Sequence, residues 1–257
     1  MKSQSKSRRI GLARALSKLG YCSRSSATAR IKSGSVRLNG RVRTDPETPV
    51  DMTTDRIEVD GAQVVAQTKS YWMLNKPRGV VTTASDEKGR RTVYEFLNDD
   101  QRWLAPVGRL DKASEGLLLF TNDSEWASEL LAPESHVEKT YHVQVNIVAD
   151  RAFVDVLLDG VAVNGGEVLR AKKASILRSG EKNTWLEIIL DEGKNRQIRR
   201  MLAALEAEVI RLVRIGIGQV ALGRLGKGQL RQLTAEEKAA LDACLTSAKS
   251  KANRNAG

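Results

Sequence analysis

The chain has 257 residues, 41% hydrophobic and 28% charged, a composition that fits one large folded domain or two unequal ones and argues against disorder. No apolar run nears the ~20 residues that cross a bilayer, and Met1–Arg9 is basic with no apolar stretch behind it, so neither a membrane span nor a secretory leader is expected and a cytoplasmic protein is. Two cysteines (Cys22, Cys244) and two histidines (His136, His142) are too few for a disulfide framework or a Cys/His zinc site, and no G-x-S-x-G elbow is present.

The net charge is +11, and it is unevenly spread. Residues 1–44 carry twelve Lys/Arg and no Asp or Glu, while the rest balances 30 basic against 31 acidic residues. A cationic module joined to a neutral body points to a polyanionic partner, with a solvated basic surface as the plainer alternative. In chain order, residues 1–9 read as a basic tail. Ile10, Leu12, Ala13, Leu16 and Leu19 recur at helical spacing, and Gly20 closes the segment as a C-cap would. Ser23 offers an N-cap to a second helix bearing Ala27 and Ile31 and ending at Gly34. Val36–Leu38 enters a tight turn at Asn39-Gly40, and a second strand and turn fall at residues 57–61. Residues 10–66 thus form a small α+β module.

A polar linker leads to a buried strand at Tyr71-Trp72-Met73-Leu74. Strands are then expected at 79–83, 117–121, 140–145, 185–190 and 209–215, and helices at 126–131, 150–159 and 195–206. The order does not repeat as βαβ, so the body at 71–246 is expected to be α+β with a mixed, largely antiparallel sheet flanked by helices. Thr234-Ala-Glu-Glu has the capping-box pattern of a helix start, and 247–257 reads as a second basic tail.

Three stretches carry the chemistry. Val107-Gly108-Arg109-Leu110-Asp111-Lys112-Ala113-Ser114-Glu115-Gly116 is a polar loop entering an apolar strand, which sets Arg109 and Asp111 at the mouth of a sheet. A reactive acid beside a phosphate contact and a structural Arg–Asp pair are equal alternatives on spacing alone. Asp191-Glu192-Gly193-Lys194-Asn195-Arg196-Gln197-Ile198-Arg199-Arg200 turns out of a strand into a helix, whose N-terminus favours anions. Asn75-Lys76-Pro77-Arg78-Gly79 is a loop that would present Lys76 and Arg78 outward. The Gly-rich run 223–228 lacks the glycine and Ser/Thr of a nucleotide loop.

Together the three stretches resemble the RsuA-type ribosomal RNA pseudouridine synthases. Gly108-Arg109-Leu110-Asp111-x-x-Ser114-x-Gly116-Leu117-Leu118-Leu119-x-Thr121-Asn122 is similar to their signature, with Ser114 where many relatives carry Thr. Lys76-Pro77-x-Gly79, Lys139-x-Tyr141-x-Val143 and Glu192-Gly193-Lys194-Asn195-Arg196-Gln197-Ile198-Arg199-Arg200-Met201 resemble their other motifs. Residues 10–60 resemble the S4 RNA-binding module, through Ser23-Arg24, Ile31-x-x-Gly34-x-Val36 and Asn39-Gly40.

The resemblance implies an S4 module fused to a synthase domain that detaches uracil from C1′ of its ribose, turns it and rejoins it through C5. It implies Asp111 as the catalytic aspartate, ionised with help from Lys194. Tyr141 would stack on the base, Ile198 would pack beneath it, and Arg109 would hold phosphate or displace the target nucleotide. RNA contacts are expected from Arg14, Lys18, Arg24, Arg30, Lys32, Lys76, Arg78, Arg196, Arg199 and Arg200. No cofactor or metal is expected, and a monomer acting on ribosomal RNA or an assembly intermediate is, with large-subunit RNA favoured over small-subunit RNA. Two other readings are weighed. One is a non-catalytic RNA-binding assembly protein. The other is a metal-dependent nuclease using Asp51, Asp55 and Asp60.

Overall fold

A computed structural model describes residues 9–84, 86–97 and 103–254. Most of the expected N-terminal tail and the last three residues lie outside the described residues. Two compact units emerge, one of Met1–Tyr71, Asp99–Ala105 and Phe120–Ala127 and one of Trp72–Asn98, Pro106–Leu119 and Ser128–Gly257, each taken over its described residues.

In the first unit, helix α1 (Leu12–Lys18) and helix α2 (Arg24–Lys32) pack on a four-stranded sheet of Arg41–Val42, Val36–Leu38, Ile57–Val59 and Ala62–Gln63. Ser23 caps α2 by accepting from the Ser26 N–H at 3.0 Å. Leu12, Leu16, Ala27, Ile31, Val36 and Val59 are buried together, which leaves the polar faces outward. Asn39 and Gly40 both take positive φ, as the turn between Val36–Leu38 and Arg41–Val42 requires. The segment after this sheet is anchored within the same unit. Gln67 donates its N–H to the Leu19 carbonyl at 2.8 Å, Lys69 donates to the Lys18 carbonyl at 2.9 Å, and Asn122 donates to the Thr68 carbonyl at 2.9 Å.

The second unit is built on a nine-stranded mixed sheet. Its strands are β1 (Tyr71–Lys76), β2 (Ala105–Val107), β3 (Glu115–Thr121), β4 (Lys139–Val145), β5 (Lys173–Ser179), β6 (Thr184–Leu190), β7 (Val209–Ile217), β8 (Val220–Ala221) and β9 (Leu230–Gln232). The order is β5-β6-β4-β7-β3-β1-β9, with β8 on β7 and β2 on β3. Most pairs are antiparallel, and β7–β3 is parallel. Helices α3 (Ser124–Leu131), α4 (Arg151–Asp159), α5 (Gln197–Ala204) and α6 (Ala235–Arg254) flank it. Val143, Val154, Leu157, Leu186, Ile188, Met201 and Leu202 form the core between sheet and helices.

The expected fold class holds, with local corrections. Residues 79–83 form turns with one bridge, Val81 to Thr92, because Pro77 and the positive φ of 92° at Gly79 break the strand. Residues 247–254 continue α6, so the stretch read as a tail is helical to Arg254. Thr234 caps that helix as its pattern implied, accepting from the Glu237 N–H at 3.2 Å.

Candidate active site

Asp111 lies in the loop between β2 and β3, and two glycines shape its ends. Gly108 has φ +74° and Gly116 +99°. A Cβ at Gly116 would stand 2.2 Å from the Arg214 carbonyl oxygen, so the parallel contact of β3 with β7 admits only glycine. The middle of the loop is pinned from below by Lys76. This side chain is fully buried, and its Nζ donates to the carbonyls of Ser114 (2.7 Å), Asp111 (3.1 Å) and Pro77 (3.2 Å). Burial pushes the ammonium down to about 8, against the pull of Asp111 and Glu115. Lys76 therefore does not face RNA. It ends a strand whose last side chain points into the fold, and its three donors meet three carbonyls there.

Asp111 opens onto a cavity of about 520 Å³, within the usual range for small-molecule sites. Arg109, Tyr141, Lys194, Ile198, Arg196 and Arg199 also line it, so the residues that the sequence motifs singled out converge from three segments. Ile198 is buried at the start of α5. Arg109 is exposed and also borders a second cavity lined by Thr82, Lys88 and Lys112.

The cation at Asp111 is not the expected one. Arg196 donates through Nη1 to Asp111 Oδ2 at 3.3 Å. Arg196 precedes α5 in the left-handed conformation at φ 48°, an uncommon backbone for a non-glycine residue. Lys194 pairs with Glu192 at 3.0 Å and Glu167 at 3.4 Å, and the hydrogen bond it donates to Glu192 raises its pKa. Two carboxylates thus hold Lys194 away from Asp111. Arg199 donates to the Ala113 carbonyl at 3.2 Å, while Arg200 pairs with Glu167 at 2.6 Å. Arg78 is exposed. Motif spacing did not reveal the roles of Lys76 and Arg196, because both depend on groups far along the chain.

Among the cations expected to meet RNA, Arg14, Arg24 and Lys32 are exposed on the first unit. Arg30 is paired with Asp60 at 2.9 Å, and Lys18 pairs with Glu125. The carboxylates weighed for a metal site are used locally. Asp51 accepts from the Thr53 N–H at 2.9 Å, Asp55 from Asn39 at 2.9 Å, and Asp60 holds Arg30. Among the described residues no group of three or more His, Cys, Asp or Glu is placed to hold a metal ion, and no helix is long and apolar enough to cross a membrane.

Comparison with known proteins defines the class. The RNA pseudouridylate synthase family model matches residues 70–204, and the S4 domain model matches residues 10–57. The ribosomal large subunit pseudouridine synthase B of Bacillus subtilis is 37% identical over 228 residues, covering 88% of this chain and 93% of its own. An uncharacterized RNA pseudouridine synthase of Aquifex aeolicus is 37% identical over 227 residues, covering 88% and 91%. A crystal structure of a pseudouridylate synthase superposes with a TM-score of 0.64 at 29% identity, covering 90% of this chain and 99% of that one.

The fold and the motif-bearing cavity are those of an RNA-modifying isomerase. The chain belongs to the RNA pseudouridylate synthase family, with an S4 domain ahead of the synthase domain. It converts uridine in RNA to pseudouridine.

Proposed function

We propose that the protein isomerises a specific uridine of ribosomal RNA, in the large subunit, with Asp111 as the catalytic carboxylate. The observation that carries the assignment is the state of the acids in the cavity. Three line it: Asp111, Asp191 and Glu192. Asp191 is held by Lys172 at 3.4 Å, and Glu192 by Gln197 at 2.6 Å and Lys194 at 3.0 Å. Asp111 keeps one long contact to an exposed arginine, so its carboxylate is available to a reacting sugar carbon. Arg196 places a positive charge beside the carboxylate that would act as nucleophile or base.

Tyr141 provides a ring against the extruded base, and Ile198 packs beneath it. Arg109 and Arg78, both exposed, suit the RNA backbone. Extrusion of the uridine costs a few kcal/mol, which these contacts offset. The S4 domain supplies affinity without reading the target base. The choice of the large subunit rests on the Bacillus relative's name and the covered length.

The test is pseudouridine mapping on unmodified large- and small-subunit ribosomal RNA, with Asp111→Asn as the control. A single new site in large-subunit RNA that vanishes in the variant is the expected outcome. A site in small-subunit RNA would overturn the subunit. Undiminished modification by Asp111→Asn would overturn the catalytic residue.

A further inference from the structure

The cavity around Asp111 has a cationic wall with no part in the chemistry described so far. Lys139 opens β4, and Tyr141 stands two residues further on the same face. Arg214 sits opposite Tyr141 on β7. Leu190 on β6 and Ile217 on β7 sit opposite Lys139. All five line the cavity. Lys139 is thus flanked by apolar side chains, and its ammonium has no hydrogen-bond or ion-pair partner among the described residues. Burial pushes it down to about 8, and the charge of Arg214 pushes the same way against a weaker pull from Asp191. Arg214 is 6% exposed. Its Nε donates to the Leu117 carbonyl at 2.7 Å, but its Nη2 is buried with no hydrogen-bond partner. Two neighbouring cations, neither of them in an ion pair among the described residues, are costly for the empty protein. Such an arrangement is a mark of a site whose ligand completes it.

We propose that Lys139 and Arg214 form the base-anion site of this enzyme: they receive the carbonyl oxygens of the target uracil and stabilise the negative charge it gains when the glycosidic bond opens. This rests on the assignment of the cavity at Asp111 as the place where uridine reacts. When the C1′–N1 bond breaks, its electron pair leaves with the base, and the charge spreads over N1, O2 and O4. The base then turns, and C5 forms a new bond to C1′. The C5 hydrogen leaves as a proton and N1 gains one, so the product is an isomer. A donor pair fixed where that charge develops lowers the barrier to the first step. The setting favours a base over a phosphate. Leu190, Leu212 and Ile217 make apolar walls around the two cations, whereas the exposed Arg196 and Arg109 lie where a backbone phosphate would be met.

The experiment uses the full chain and the ribosomal RNA that the wild type modifies. Single-turnover pseudouridine formation is measured alongside RNA Kd and thermal midpoint. Lys139→Met and Lys139→Gln are expected to slow the chemical step by about 10²–10³-fold, the loss typical of one such donor. RNA Kd is expected to stay within about three-fold, because phosphate contacts set most of it. Lys139→Arg, which keeps the charge, is expected to recover most of the rate. Neutral variants at the wild-type rate would overturn the proposal. So would a folded Lys139→Arg as slow as Lys139→Met, or a rate loss fully explained by weaker RNA binding. Asp111→Asn is run beside them. An active Lys139→Met next to an inactive Asp111→Asn refutes this inference alone, whereas an active Asp111→Asn refutes the catalytic assignment.

Discussion

All three protons of the Lys76 ammonium are directed at carbonyl oxygens, two of them in the loop that carries Asp111. A methionine there fills a similar volume but takes this donor from the Ser114 and Pro77 carbonyls, while the Asp111 carbonyl keeps the Ser114 N–H at 3.0 Å. At about 1–3 kcal/mol for each group left unsatisfied, Lys76→Met is expected to destabilise the fold by several kcal/mol in urea and to slow turnover through a loosened 111–114 loop. Lys139 is the opposite case, since its ammonium holds no bond that a substitution could remove. Its folded pKa of about 8 lies below the ordinary 10.5, so the folded state disfavours the charged form. That penalty is complete below pH 8 and fades as the pH rises towards 10.5, where both states become neutral. Lys139→Met is therefore expected to be more stable than the wild type at pH 7, by about 1–3 kcal/mol after allowance for partial exposure. The advantage should vanish between pH 8 and 10.5. Urea midpoints of the two proteins across that range check it, and an advantage that persists at pH 10.5 would point to packing instead.

At the scale of elements, the turn into α5 decides which cation serves Asp111. Lys194, Glu192, Glu167 and Arg200 form one ion-pair group, while Arg196 turns away from it through a left-handed residue. Removing Lys194 disturbs a half-exposed ion-pair group that does not touch Asp111, so Lys194→Ala is expected to change single-turnover rates by less than about five-fold. Arg196→Gly suits the left-handed backbone better and yet removes the charge. Its thermal midpoint is expected to hold or rise while its rate falls by ten-fold or more; equal rates for the two variants would sink this assignment of roles. The sequence made the longer elements of this region legible because apolar periodicity marks them. The helix Arg151–Asp159 and the strands Lys139–Val145 and Thr184–Leu190 lie within two residues of their expected bounds. The edge strand Lys173–Ser179 was not legible, since nearly every side chain in it is exposed and it shows no alternation. Asp111 and Tyr141 stand in recognisable motifs. The inward turn of Lys76 and the pairing of Arg196 depend on partners 35 and 85 positions away, which no local pattern encodes.

Over the whole molecule, the charge asymmetry separates affinity from chemistry. Arg14, Arg24, Lys32, Arg37 and Arg41 are exposed in the first unit and enter no ion pair among the described residues. Cations of this kind bind RNA by releasing counterions, so the logarithm of affinity falls with the logarithm of salt by about 0.7 per phosphate neutralised on single strands. Changing all five to glutamine is expected to weaken RNA binding most at low salt and to flatten the salt slope by about 0.7 for each phosphate that is no longer neutralised. Neutral surface changes leave the core of Leu12, Leu16, Ile31 and Val36 untouched, so the fold should persist. At saturating RNA the turnover rate should stay close to that of the wild type, because no changed residue lines the Asp111 cavity. Asp111→Asn should give the reverse pattern, with intact binding and no product. A fivefold variant that binds with an unchanged slope would move the RNA anchor off this module and onto the exposed arginines around the cavity. One that binds weakly and also turns over slowly at saturation would mean that the S4 domain helps to place the target uridine as well as to capture the RNA.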